Sequence, residues 1–165
     1  MKRIMLATTL IALVLSLAPS WASPKANNLN FSGMWQMDVQ RSESAHFGGP
    51  FVPTTLIIKQ SPTRVSIETR QSGQSETLIY NLDGSVSEQQ VQANGPVSWS
   101  GSWDGEKLVT ETTRNINGMP VTITEIRSLD LKEREMTVYR TLAVQHGYAS
   151  GKASSTAKDV FIKAL

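Results

Sequence analysis

The sequence predicts an all-β protein, an antiparallel up-and-down β-barrel of about 8–10 strands. Three observations carry that reading. Apolar and polar residues alternate in short runs, with hardly a helical period anywhere. Ten such runs recur at roughly the 8–12-residue spacing of sandwiches and barrels. Asp-Gly and Asn-Gly pairs stand between several consecutive runs; they close tight hairpins, so neighbours in sequence become neighbours in space. A chain of hairpins still has two open edge strands, and closing on itself removes them. The alternative arrangement is a Greek-key sandwich.

Residues 1–22 precede this pattern and read as a secretory signal peptide. Lys2 and Arg3 form a positive start, and residues 4–17 are an apolar stretch broken only by Thr and Ser. Ser20-Trp21-Ala22 then sets small residues at both recognition positions of a cleavage site. The stretch is shorter than the ~20 apolar residues of a spanning helix, and Pro19 closes it. No cysteine follows to accept a lipid anchor. Residues 23–30 are a polar lead-in, and the barrel domain is expected over 31–165.

The first strand is expected at 31–38. The second, 54–60, sets Leu56 and Ile58 on one face. Ser61-Pro62-Thr63 turns the chain into 64–70, where Val65 and Ile67 alternate with Ser66 and Glu68. A turn at Gly73 leads to 76–82, with Leu78, Tyr80 and Leu82 sharing a face. Asp83-Gly84 leads to 85–91, Asn94-Gly95-Pro96 to 97–103, Asp104-Gly105 to 107–114 and Asn117-Gly118 to 121–128. A turn at 130–133 precedes 135–142, and the last strand is 156–163. Two connections are long, 39–53 and 145–155, and loops of that size in a compact domain are commonly functional. Gly48-Gly49-Pro50 argues against a helix across the first, leaving room for one turn at 42–45.

The chain has 165 residues, 16 Lys+Arg against 14 Asp+Glu, and no cysteine. That length suits one domain. Without cysteine there is no disulfide framework, thiolate metal site or cysteine nucleophile. Lys2 and Arg3 belong to the signal segment, which holds no acid, so the remainder is formally neutral. It lacks the basic charge that neutralises nucleic-acid phosphates or anionic headgroups, and neither nucleic-acid binding nor stable membrane insertion is expected. His46 and His146 are far apart and lack acidic residues at ligand spacing, so no metal is expected. Residues 147–152 carry the wrong spacing for a phosphate loop or a nucleophile elbow. No cofactor and no catalytic motif emerge, and a non-enzyme is expected.

Several residues are candidates for an interior site. Apolar residues are few for a filled core, and a barrel of this strand number can hold a small ligand. Trp99 and Trp103 lie four apart in one strand and point the same way, with Gly101 between them. Such a pair is either core at a bend or the wall of a pocket. Arg140 shares the phase of Met136, Val138 and Leu142 and is expected to point inward, where it needs a partner. That partner is a tryptophan face, Glu125 or a ligand carboxylate. Glu125 and Arg127 pair along one strand face. Tyr80, Trp99, Trp103 and Arg140 are therefore the candidate lining residues.

Gly33-Met34-Trp35 places a Gly-x-Trp in the first strand, and this resembles the lipocalin-type barrels of the calycin group. More closely, the chain resembles small secreted bacterial lipocalin-like proteins of uncharacterised function. Those share a Phe-Ser-Gly-x-Trp-x-x-Asp start, a Gly-Gly-Pro loop, a Trp-Asp-Gly-x-Lys-Leu hairpin, and Pro-Val-Thr-Ile-Thr-Glu and Val-x-Arg-Thr-Leu strands. Here these are residues 31–38, 47–50, 103–108, 120–125 and 138–142. The resemblance implies a barrel plugged at one end by Gly33, Trp35 and a late-strand arginine, Arg140. It supplies no catalytic residues.

The expected function is that of a secreted or periplasmic protein binding a small, partly hydrophobic or amphipathic molecule inside the barrel. The alternative is an envelope-structural or protein-interaction module with a packed barrel and no ligand, presenting an apolar patch at 47–51. The oligomeric state is left open. Expressed in a secreting cell, the chain should be exported and begin at Ser23, as read by intact mass; a full-length chain held in the membrane fraction would refute the signal.

Overall fold

The computed structural model describes residues 29–46, 54–91, 95–116, 118–144 and 153–165. The expected signal segment, most of the lead-in, the Gly48-Gly49-Pro50 loop with the 47–51 patch, and residues 145–152 lie outside the described residues. Ten strands are present: β1 (Gly33–Met37), β2 (Thr55–Gln60), β3 (Arg64–Gln71), β4 (Gln74–Asn81), β5 (Ser87–Val91), β6 (Gly95–Asp104), β7 (Lys107–Ile116), β8 (Met119–Leu129), β9 (Glu135–Val144) and β10 (Ala153–Lys163). Each of the ten alternating runs becomes a strand. All pairings are antiparallel, and the order around the sheet is β4-β3-β2-β1-β10-β9-β8-β7-β6-β5. First and last strands therefore meet, with Trp35 opposite Lys163. The result is a nearly closed up-and-down barrel rather than a sandwich.

The exception to closure is the seam between β4 and β5, which are consecutive in sequence but share no ladder. β5 pairs only with the first part of β6, from Val91 opposite Gly95 to Ser87 opposite Trp99. Beyond that point β4 itself lies on β6. The Trp99 indole donates to the Ile79 carbonyl at 2.8 Å, and Gly84 N–H donates to the Gly101 carbonyl at 2.9 Å. Gly101 makes this approach feasible. A Cβ there would stand 2.8 Å from the Cβ of Tyr80 and 3.2 Å from the Asn81 carbonyl.

One end of the barrel is filled. Phe31, Trp35, Val65, Leu108, Met136 and Phe161 are wholly buried there, each an inward position of its strand or of the segment entering β1. The Trp35 indole donates to the Phe31 carbonyl at 2.9 Å. The cation over the Trp35 ring is Lys163, with Nζ 5.1 Å from the ring centroid, and not Arg140. Register explains the correction: Lys163 lies opposite Trp35, whereas Arg140 pairs with Ala157 further along β10. Gly33 leaves room for the Lys163 stem, because a Cβ would come within 2.8 Å of its Cε. Trp103 also belongs to this end, its ring 5.9 Å from that of Phe31.

After β1 the chain makes two short 3-10 turns, Val39–Arg41 and Ser44–His46, where the sequence left room for one at 42–45. Asp38 caps the first by accepting from Gln40 N–H at 3.1 Å. Ser42 is sewn to β10, its hydroxyl donating to the Val160 carbonyl at 3.2 Å and accepting from Val160 N–H at 3.0 Å. Replacing Gly101→Ala should lower stability by about 1–3 kcal/mol through overpacking at the seam, measured by denaturant unfolding; an unchanged midpoint would mean that β4 does not rest on β6.

Candidate functional site

Inward positions change chemistry along the barrel axis. On β7 the sequence of inward residues is Leu108, Thr110, Thr112, Arg114; on β10, read towards the same end, it is Phe161, Asp159, Ala157, Ser155. Apolar bulk thus fills one half, and small, polar and charged side chains face the other. Above the packed end lies a cavity of about 610 Å³. Met37, Leu78, Ile123 and Leu142 give it apolar wall, and Thr69, Thr112, Ser155 and Tyr80 give it hydroxyls.

A buried ion network stands at the base of this cavity. Glu125 on β8 is opposite Arg140 on β9, and directly opposed unlike charges attract across a strand pair. The Arg140 guanidinium donates to Glu125 Oε1 from Nε at 2.9 Å and from Nη2 at 2.8 Å. Arg127, two residues along β8 and 2% exposed, donates to the other carboxylate oxygen and, at 2.6 Å, to the Thr110 hydroxyl. Arg140 Nη1 reaches Asp159 on β10 at 3.1 Å. Asp159, wholly buried, also accepts from Ser44 N–H at 3.0 Å, tying the second 3-10 turn to the network.

Burial works against ionisation of Glu125, but Arg127 and Arg140 outweigh it and hold the carboxyl down at about 2. Arg140 is pushed up from its ordinary value, the burial that opposes its charge being overcome by Glu125 and Asp159. Burial pushes the Tyr80 phenol up, against a hydrogen bond of 3.2 Å with Thr112. Tyr80 is a neutral hydroxyl at physiological pH.

Nearer the mouth a second pair spans the seam. Arg114 on β7 donates from Nη2 to both carboxylate oxygens of Glu76 on β4, at 3.2 and 3.0 Å. Its Nε is buried without a hydrogen-bond partner among the described residues.

Of the four lining residues expected from sequence, Tyr80 and Arg140 face the cavity. Trp99 and Trp103 do not line it: Trp99 is turned into the seam and Trp103 into the packed end. Sequence reasoning passed over Glu76, Thr112, Arg114 and Asp159. Each shares the phase of buried neighbours, Asp159 between Ala157 and Phe161 above all, and that phase is the signal that could have found them. Among the described residues no cluster of three His, Cys, Asp or Glu is placed to hold a metal.

The shift at Glu125 makes stability pH-dependent. Because its folded value lies below the ordinary 4.5, its contribution is complete above that pH and is lost as pH falls through about 2. Glu125→Gln should cost roughly 3 kcal/mol near neutrality, since the buried Arg127 loses its carboxylate partner and Arg140 keeps only Asp159. The deficit should shrink below the wild-type titration, as denaturation across pH will show.

No family model and no curated protein sequence matches the chain. Solved structures do resemble it. A secretary abundant heat soluble protein from Ramazzottius varieornatus superposes with a TM-score of 0.56 at 15% identity, over 81% of this chain and 94% of that one. The REP1-NXSQ fatty acid transporter gives 0.51 at 10% identity over 81% and 96%. A fatty acid-binding protein from Drosophila melanogaster brain gives 0.50 at 18% identity over 82% and 100%. At such identities the shared property is the architecture, and the chain has the fold of the lipocalin-like and fatty-acid-binding β-barrels.

Proposed function

We propose that the protein is an exported binding protein that takes a small, partly apolar molecule into the barrel. The observation that carries this reading is the cavity of about 610 Å³ above a packed end. Its size lies within the ordinary range of small-molecule sites, and its apolar wall with a few convergent polar groups is the composition such sites use. Two structures of similar fold are named for carrying or binding fatty acids, which supports a ligand with an apolar body. Export rests on residues 1–22, whose charged start, apolar stretch and small-residue site suit a signal peptide.

The packed module without a ligand is disfavoured because the upper interior is not filled. Enzymatic activity has little support. The similar structures named above are not named for catalysis, and Glu125, tied to two arginines and held near 2, is a poor general base at neutral pH.

A neutral, environment-sensitive dye should bind the purified protein with saturation. Ile123→Trp, which adds bulk to the cavity wall, should weaken that binding at least about tenfold, a loss of roughly 1.4 kcal/mol, with an unchanged unfolding midpoint. A wild type that takes up neither dye nor any of a panel of lipids would refute the reading.

A further inference from the structure

Among the described residues, the charges around the cavity cancel. Three arginines, Arg114, Arg127 and Arg140, face three carboxylates, Glu76, Glu125 and Asp159, and every one of the six is bonded to a member of the opposite set. Among the described residues around the cavity no arginine is left to meet an incoming anion. An ionised headgroup placed here would have to displace a carboxylate from its guanidinium or lie unpaired beside it, and either costs heavily in a partly desolvated site. Uncharged polar groups meet no such obstacle. Tyr80 and Thr112 bond each other at 3.2 Å and retain further hydrogen-bonding capacity, as do Thr69 and Ser155. Arg114 keeps a buried Nε donor without a partner among the described residues while its charge is already answered by Glu76.

We infer that the cavity selects an uncharged amphiphile, such as a long-chain alcohol, ester or amide, over an ionised carboxylate of equal chain length. This rests on the reading that the cavity holds a small molecule. It narrows that reading to a head that accepts and donates hydrogen bonds without bringing charge. Discrimination comes from the paired acids: Glu125 and Asp159 at the base and Glu76 at the mouth occupy the positions where an anionic head would otherwise sit.

The test is displacement of a bound neutral dye from the purified protein, near neutral pH, by 1-dodecanol and by dodecanoate. The alcohol should displace it at a concentration about tenfold lower than the acid. Glu76→Gln, at an exposed side chain and with folding checked by an unfolding curve, frees Arg114 and should narrow that gap several-fold by improving the acid. Dodecanoate equal to or better than the alcohol on the wild-type protein would overturn the inference and leave the binding reading standing. So would a dye that binds but yields to neither compound, or a gap that Glu76→Gln does not change. Failure of the dye itself to bind would bring down both.

Discussion

One carboxylate held between two guanidinium groups decides how this barrel is divided. Glu125 is bonded by Arg127 on its own strand and by Arg140 on the next, and the chain of contacts runs on to Asp159 and Thr110, so that β7 to β10 are tied through their inner faces. Charges this deep are tolerated only as a satisfied set. A slip of one residue between β8 and β9 would turn Glu125 and Arg140 to opposite faces. The network therefore penalises wrong register on the stretch of wall where hydroxyl-rich, nearly repetitive strands offer little other discrimination.

Below the network, packing takes over. Phe31, Trp35 and Phe161 bring large rings into a narrow end, and Lys163 lies across Trp35 as its cover. Above it, the inward side chains are too short or too polar to meet across the middle, and space remains. The two halves differ because the same alternation of inward and outward residues is kept while the inward residue type changes: leucine and phenylalanine give way to threonine, serine and paired ions. The cavity is thus a property of what the strands omit, within a scaffold that the other end stabilises.

The strands could be read from sequence because alternation and Asp-Gly or Asn-Gly turns are local signals, and sequential hairpins leave few ways to arrange them. The inward direction of Arg140 was legible in the same way, from its phase with Met136 and Val138. Its partners were only partly so. Glu125 was one of several open choices, and Asp159 required knowing that β10 returns beside β9. Period two tells which face a residue takes but not its height along the barrel. That is why Trp99 and Trp103, rightly placed on one face, end up in the seam and in the packed end instead of around the cavity. The same limit misplaced the cation over Trp35, since the register of β1 against β10 depends on closure between residues more than a hundred positions apart.

The joint between β4 and β5 sets this wall apart from a uniformly laced cylinder. Elsewhere each strand is fastened to its neighbour along a continuous ladder, and parting any two would sacrifice several bonds together. Here, among the described residues, the fastening consists of isolated links at Trp99 and Gly84 and an ionic clasp between Arg114 and Glu76. The circumference is therefore held least firmly along one line, while each of the other nine junctions is laced by a ladder.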